Sequence, residues 1–302
     1  MSIEYLKTAY ADAKIEKAKP INNWKKYYLR LRFGTLGVLF PCAATEFAYK
    51  LFATPRSRAK HWKTDAVIDS ALVSDLIFDN LKIKVYEWGT GDKIVLLVHG
   101  WESRGTALRM FVNPLLKSGF KIVTFDAPAH GDSEGEILNL PTNARVIAEV
   151  MKKFGGAFKG AIAHSFGCSS IIFALQHINP DLSIEHVVLL AVPPRLEIIL
   201  KGFMNRVRAP EKLRQYIFKK IHGIHPKLEN FDAALSEDKV HVKKLLLVHD
   251  LQDDVTPIKT AEDFEKKWKN AYLLITQGLG HYRLVKNPDV VRFIIDFICS
   301  AI

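Results

Sequence analysis

A chain of 302 residues, 48% hydrophobic and 25% charged, has apolar mass for one large domain with an insertion or for two modest ones, and its composition excludes a disordered or fibrous protein. Three cysteines, Cys42, Cys168 and Cys299, form an odd set without CxxC spacing, which suits a reducing, cytoplasmic setting and argues against a disulfide scaffold. The net charge of +11 is uneven: residues 1–70 hold 13 Lys/Arg against 6 Asp/Glu, residues 195–240 hold 10 against 6, and the remainder is neutral.

In chain order, the opening MSIEYLKTAYADAKIEKAKP is charged rather than apolar and does not read as a secretory signal. The uncharged run Phe33–Thr45 is thirteen residues long, short of the roughly 20 that cross a bilayer. It reads as a helix packed on the body. The alternative is an interfacial anchor, a peripheral membrane contact through the basic N-terminal segment. TEFAYKLFATPRSR reads as a helix stopped by Pro55, and no strand signal appears before residue 70. Residues 1–70 are therefore expected to form an N-terminal helical extension.

From about residue 76 short apolar runs alternate with helical ones, the pattern of a mostly parallel sheet flanked by helices. Strands are predicted at Leu81–Trp88, Ile94–Val98, Ile122–Phe125, Ala161–Ala163, His186–Leu190, Lys244–Val248 and Tyr272–Ile275. Helices are predicted near 105–118, 141–154, 166–177, 258–269 and 287–299, with Pro141 and Pro288 suited to first turns. Residues 193–240 break the alternation. This helical, basic stretch follows a strand and is expected to be a cap inserted beside the ligand end of the sheet.

Three loops carry candidate chemistry. In GAIAHSFG, Ser165 lies between a short apolar strand and a helical stretch, flanked two residues away by Ala163 and Gly167. That is the setting of a strained turn that pushes a serine hydroxyl out above a sheet. The plain alternative is an ordinary strand-to-helix turn. In LLLVHDLQDDVTP an apolar strand ends in an acidic loop, where Asp253 is the preferred carboxylate, Asp254 its rival, and helix capping the structural alternative. In GLGHYRLVKNPDVV, His281 follows the last strand on a loop made uncrowded by Gly278 and Gly280. The chain order Ser, Asp, His, each just past its own strand, joins the three pieces.

With IVLLVHGWES (94–103) and VTFDAPAHGDSEG (123–135), these pieces resemble the α/β-hydrolase superfamily over about residues 76–302. The second stretch matches a D-x-x-G-H-G-x-S loop with Ala129 where glycine is usual. The Phe52-Ala53-Thr54-Pro55-Arg56 stretch is similar to that of a little-described bacterial branch with an N-terminal helical extension and small cap. The resemblance implies an α/β-hydrolase domain over 71–302, with a catalytic triad of Ser165, Asp253 and His281. It also implies an oxyanion hole from the backbone N–H groups of Trp101 and Phe166, so neither residue needs a polar side chain.

The resemblance further implies cleavage of a carboxylic ester or thioester through an acyl-serine, with C–C or amide cleavage, or a non-catalytic binding member, as alternatives. Serine at 165 argues against branches that use an aspartate nucleophile. Trp101 and His164 are candidates for a substrate pocket, although packing serves equally well for His164. No HExxH or H-x₃-H pattern occurs, so no metal and no cofactor is expected. His222 and His225 read as surface residues of the cap, and His99, His130 and His249 as structural.

The basic segments read as solvated surface, or as a face for an anionic partner or anionic substrate portion. Nucleic acid is not expected, because the aromatics fall in apolar runs rather than among the basic clusters.

Overall fold

The computed structural model describes residues 3–6, 23–59, 65–235 and 240–300. Residues 7–22 of the expected extension and 236–239 at the end of the expected insertion lie outside the described residues.

The strands are β1 (Ile3–Leu6), β2 (Leu72–Phe78), β3 (Leu81–Trp88), β4 (Ile94–Val98), β5 (Lys121–Phe125), β6 (Ala157–His164), β7 (Ser183–Leu190), β8 (His241–Asp250) and β9 (Ala271–Thr276). They form one sheet in the order β1-β9-β8-β7-β6-β4-β5-β3-β2. It is parallel from β1 through β5, and β3 runs antiparallel to both β5 and β2. Continuous apolar runs such as IVLLV in β4 and LLLV in β8 suit strands covered on both faces. Leu97, Ile162, Val188 and Leu246 share a buried cluster with Val290, Ile294 and Ile298 of the helix Pro288–Cys299. Each such side chain contributes roughly 1.5–3 kcal/mol by leaving water. Pro141 and Pro288 do open helices, capped by Asn139 and Asn287, whose side chains accept backbone N–H bonds.

Several expectations are corrected. The first 70 residues do contain a strand: β1 adds to the edge of β9, with Ile3 opposite Leu273. Four residues in a charged stretch give too little periodicity to mark a strand whose pairing is set by an edge far along the chain. β2 was also missed. It is an edge strand in which inward Ser74, Leu76 and Phe78 alternate with exposed Val73, Asp75 and Ile77, so apolar residues fall on both faces and the sequence carries no period of two. It joins β3 through Asp79 and Asn80, both left-handed at φ 47° and 64°, a two-residue hairpin loop. The run Phe33–Thr45 is divided between two helices, Asn23–Leu39 and Pro41–Ala53, broken where Pro41 opens the second. Residues 105–117 are a 3₁₀ turn followed by a short helix, and the helix after Ser165 ends in a π turn at Ala174–Ile178.

The chain divides into two compact units. The first holds the described residues of 1–16, 55–193 and 233–302, and contains the whole sheet. The second holds those of 17–54 and 194–232. It comprises the helices Asn23–Leu39, Pro41–Ala53, Leu196–Arg206 and Glu211–His222. Within it, Phe52 meets Phe203 edge-on at 5.4 Å and Lys220 pairs with Glu46 at 2.6 Å. The boundary after the opening helices thus falls at Thr54–Pro55 rather than near residue 70. His222 and His225 are half-buried in this unit, not open surface residues.

Candidate active site

The parallel registers align the C-terminal ends of five strands on one rim of the sheet: Val98 is opposite Ala163, His164 opposite Leu190, Leu190 opposite Val248, and Asp250 opposite Thr276. Gly100, Ser165, Asp253 and His281 all lie within a few residues of these ends.

Ser165 sits between β6 and the helix Phe166–Phe173, with φ 52° and ψ −121°. For a residue with a Cβ this is strained backbone, costing on the order of 1–3 kcal/mol. The surroundings hold it there. Ser165 N–H donates to Leu190 O at 2.9 Å, and Ser165 O accepts from Cys168 N–H at 2.8 Å. A Cβ on Gly167 would stand 2.7 Å from Val98 O and 2.8 Å from His99 O, so the helix can approach β4 only with glycine there. Ala163, in the place of the usual first glycine, is fully buried without disturbing the turn.

Ser165 Oγ lies 3.0 Å from His281 Nε2, and His281 Nδ1 lies 2.8 Å from Asp253 Oδ2. Because a carboxylate can only accept, Nδ1 carries the proton and Nε2 presents its lone pair to the hydroxyl. Asp253 Oδ1 accepts from the N–H groups of Val255 and Thr256, both at 2.8 Å, and Oδ2 accepts from Thr256 Oγ1 at 2.8 Å. Burial pushes its acidity the other way. The bond from His281, the charge of that ring and the backbone donors outweigh burial, and hold the carboxyl down to about 2. The rival Asp254 is exposed. The capping alternative for Asp253 is partly right, since it forms a turn ahead of the helix Ile258–Glu265 while also meeting the histidine. Thr256 went unnoticed in the sequence, although Asp followed three residues later by Thr is a recognisable side-chain turn.

The neighbouring histidines are spent on backbone. His164 Nε2–H donates to the carbonyl of His281 at 2.9 Å, with the two rings 4.9 Å apart. It is buried against the His281 ring rather than open to a pocket. His99 Nε2 accepts from Ala127 N–H at 2.9 Å, and its Nδ1–H donates to Gly100 O at 2.7 Å. His130 Nε2 accepts from Glu102 N–H at 3.0 Å, while its Nδ1–H donates to Pro128 O at 2.9 Å. Burial pushes His99 and His130 down to about 4 and His164 to about 3, so all three are neutral near pH 7. His249 is buried too, and donates to Thr256 O at 2.9 Å.

The loop after β4 runs against the serine turn. A Cβ on Gly100 would be 3.1 Å from Ser165 Cβ, His164 O and His164 Nδ1 alike, so glycine there lets the loop run close against the Ser165 turn. The Trp101 ring packs edge-on against Phe166 at 5.6 Å and His130 at 5.2 Å. Phe166 opens its helix, where backbone N–H groups have no partner within the helix. Glu102 is left-handed at φ 55° and forms a two-pronged ion pair with Arg56, both oxygens at 2.9 Å. Neither Arg56 nor Glu102 was singled out as a partner from sequence, because 46 positions separate them.

Asp126 ties the second family-like loop to this rim: its carboxylate accepts from Gly105 N–H at 2.8 Å, Asp132 N–H at 2.9 Å and Tyr86 Oη–H at 3.0 Å. Ala129 is left-handed at φ 64°, the conformation that explains why glycine is usual there. Among the described residues no group of three or more His, Cys, Asp or Glu side chains is gathered as a metal-ligand set.

A strained serine above a mostly parallel sheet, flanked by helices and met by a histidine from beyond the last strand, defines an α/β-hydrolase fold. The model described as the alpha/beta hydrolase family matches residues 95–292, and the chain belongs to that family. Similar solved structures include an esterase of Pyrococcus furiosus, 19% identical with a TM-score of 0.59 over 81% of this chain and 98% of that one. A bromoperoxidase of Bacillus anthracis is 18% identical, TM-score 0.58, over 76% of this chain and all of that one. A membrane phospholipase A is 16% identical, TM-score 0.59, over 93% of this chain and all of that one. At these identities the likeness is one of fold. A search of curated protein sequences finds no match.

Proposed function

We propose that this protein is a serine hydrolase that cleaves a carboxylic ester or thioester through an acyl-serine intermediate. The observation that carries the reading is the unbroken chain of contacts from Ser165 Oγ through the His281 ring to Asp253, at 3.0 and 2.8 Å. His281 Nε2 takes the hydroxyl proton as Oγ attacks the acyl carbon. Asp253, kept ionised, holds the ring in the required tautomer and stabilises its charged form. The negative oxygen that develops on the substrate meets the N–H groups of Trp101 and Phe166, donors that gain most in the transition state. The leaving alcohol or thiol departs with the proton from His281. A water, deprotonated by the same ring, then attacks the acyl-serine and frees the acid.

That an esterase of P. furiosus and a thioesterase domain from a curacin biosynthetic pathway share this fold accords with acyl transfer. The test is labelling of the folded chain with a fluorophosphonate, beside a panel of p-nitrophenyl esters and acyl thioesters. Labelling at Ser165 and turnover, both lost in Ser165→Ala, are the expected result. Folded protein that neither labels nor turns over any member of the panel would overturn the reading.

A further inference from the structure

The helix Asn23–Leu39 turns the wrong face to water. Among the described residues, Phe33 and Gly37 are its buried positions. Opposite them, at helical spacing, lie Tyr27, Leu31 and Leu39, exposed to 66%, 57% and 69%. Tyr28 and Val38 belong to the same stripe, and Phe40 extends it past the helix end. No charged residue interrupts this face. An exposed stripe of this kind, apolar but for Thr35, whose hydroxyl donates back to Leu31 O, marks a surface meant to be covered.

We propose that this helix docks on an anionic lipid bilayer, lying in the interface with its aromatic and aliphatic stripe in the acyl boundary. The argument is charge complementarity. From Asn23 to Thr45 the chain has four basic residues, Lys25, Lys26, Arg30 and Arg32, and no acidic one. A symmetric contact with a second copy would face two such segments against each other, and like charges resist it. An anionic headgroup layer complements them. An apolar crevice lined by Phe33, Phe40, Ala43, Ala44 and Phe47 opens in the same unit, edged by Arg32, whose guanidinium lies 4.0 Å above the Phe47 ring. Among the described residues no helix is long and apolar enough to cross a membrane, so the contact is peripheral.

The experiment is flotation of the full chain with vesicles of phosphatidylcholine alone or with added phosphatidylglycerol. Wild type should float with the phosphatidylglycerol vesicles and be released by salt. Tyr27→Asp/Leu31→Asp and Lys25→Glu/Lys26→Glu should each weaken binding about tenfold or more. Leu72→Asp, on the exposed edge strand, should bind like wild type, and circular dichroism should report all variants folded. Failure of wild type to bind the anionic vesicles overturns the proposal, as does undiminished binding by Tyr27→Asp/Leu31→Asp. So does a concentration-dependent dimer that this variant abolishes, which would make the face a contact between copies.

Discussion

Arg56 grips Glu102 with both guanidinium prongs, and Arg56 N–H adds a third bond to the same carboxylate at 2.7 Å. Glu102 directly follows Trp101, one of the two proposed oxyanion donors, and its own N–H is tied to His130. The segment before β2 and the loop after β4 are thus clamped together beside the proposed nucleophile.

Breaking that clamp should cost more in rate than in stability. Arg56 is 54% exposed and Glu102 18%, so the pair contributes at most about 1 kcal/mol to folding. Arg56→Ala should lower kcat roughly tenfold with KM little changed, by loosening the donor rather than removing it. Arg56→Lys, unable to make the two-pronged pair, should restore only part of the rate. Steady-state kinetics on a soluble p-nitrophenyl ester decides it, and an unchanged kcat for Arg56→Ala would contradict the clamp.

Two substitutions at the nucleophile should separate strain from chemistry. Ser165→Ala and Ser165→Gly should both abolish the proposed acyl transfer, but only glycine accepts φ 52° without penalty. Ser165→Gly should therefore unfold about 1–3 kcal/mol later than Ser165→Ala in urea. Equal midpoints would mean that the turn stores no such strain.

Glycine at 167 is predicted to be required for folding and not merely tolerated. Its missing Cβ would lie under 3 Å from two backbone carbonyls of the β4 end, which cannot rotate away. Gly167→Ala should cost roughly 1–3 kcal/mol or more, read as a lowered Tm.

Acid should destabilise the protein in two stages. His99, His130 and His164 have folded values near 4, 4 and 3, below the ordinary histidine value of 6.5. Groups depressed in this way favour the unfolded chain once it begins to protonate, so stability is full above about pH 6.5 and falls toward pH 4. Each contributes on the order of 1–2 kcal/mol of loss by pH 5. Asp253, lowered from 3.8 to about 2, adds a second loss of about 2 kcal/mol as pH falls from 4 through 2. Urea unfolding at pH 7, 5 and 3.5 tests this. His130→Gln should flatten the upper stage, and an unchanged slope would show that the ring is not held neutral.

Triad removal gives the last expectation. Asp253→Asn keeps the shape of the Asp253 turn but leaves His281 without a carboxylate to fix its tautomer, so kcat should fall by about 10³–10⁴. A loss below tenfold would indicate that another carboxylate orients the ring.

What the linear chain determined was the alternation of strand and helix from Leu81 onward and the three loops whose Ser165, Asp253 and His281 meet at one rim. A parallel strand buried on both faces writes itself as an apolar run, and a nucleophile turn needs small neighbours such as Gly167 at fixed spacing. Both are local requirements, and local requirements leave marks in sequence. β1, the edge strand β2, the Arg56–Glu102 clamp and the grouping of the opening helices with the insertion left no such marks. Their partners lie far along the chain, and pairing at a distance has no period. The neutral histidines show the same division. Their presence was visible from the start, but only burial and backbone partners decide which nitrogen holds a proton and at what pH it gains a second.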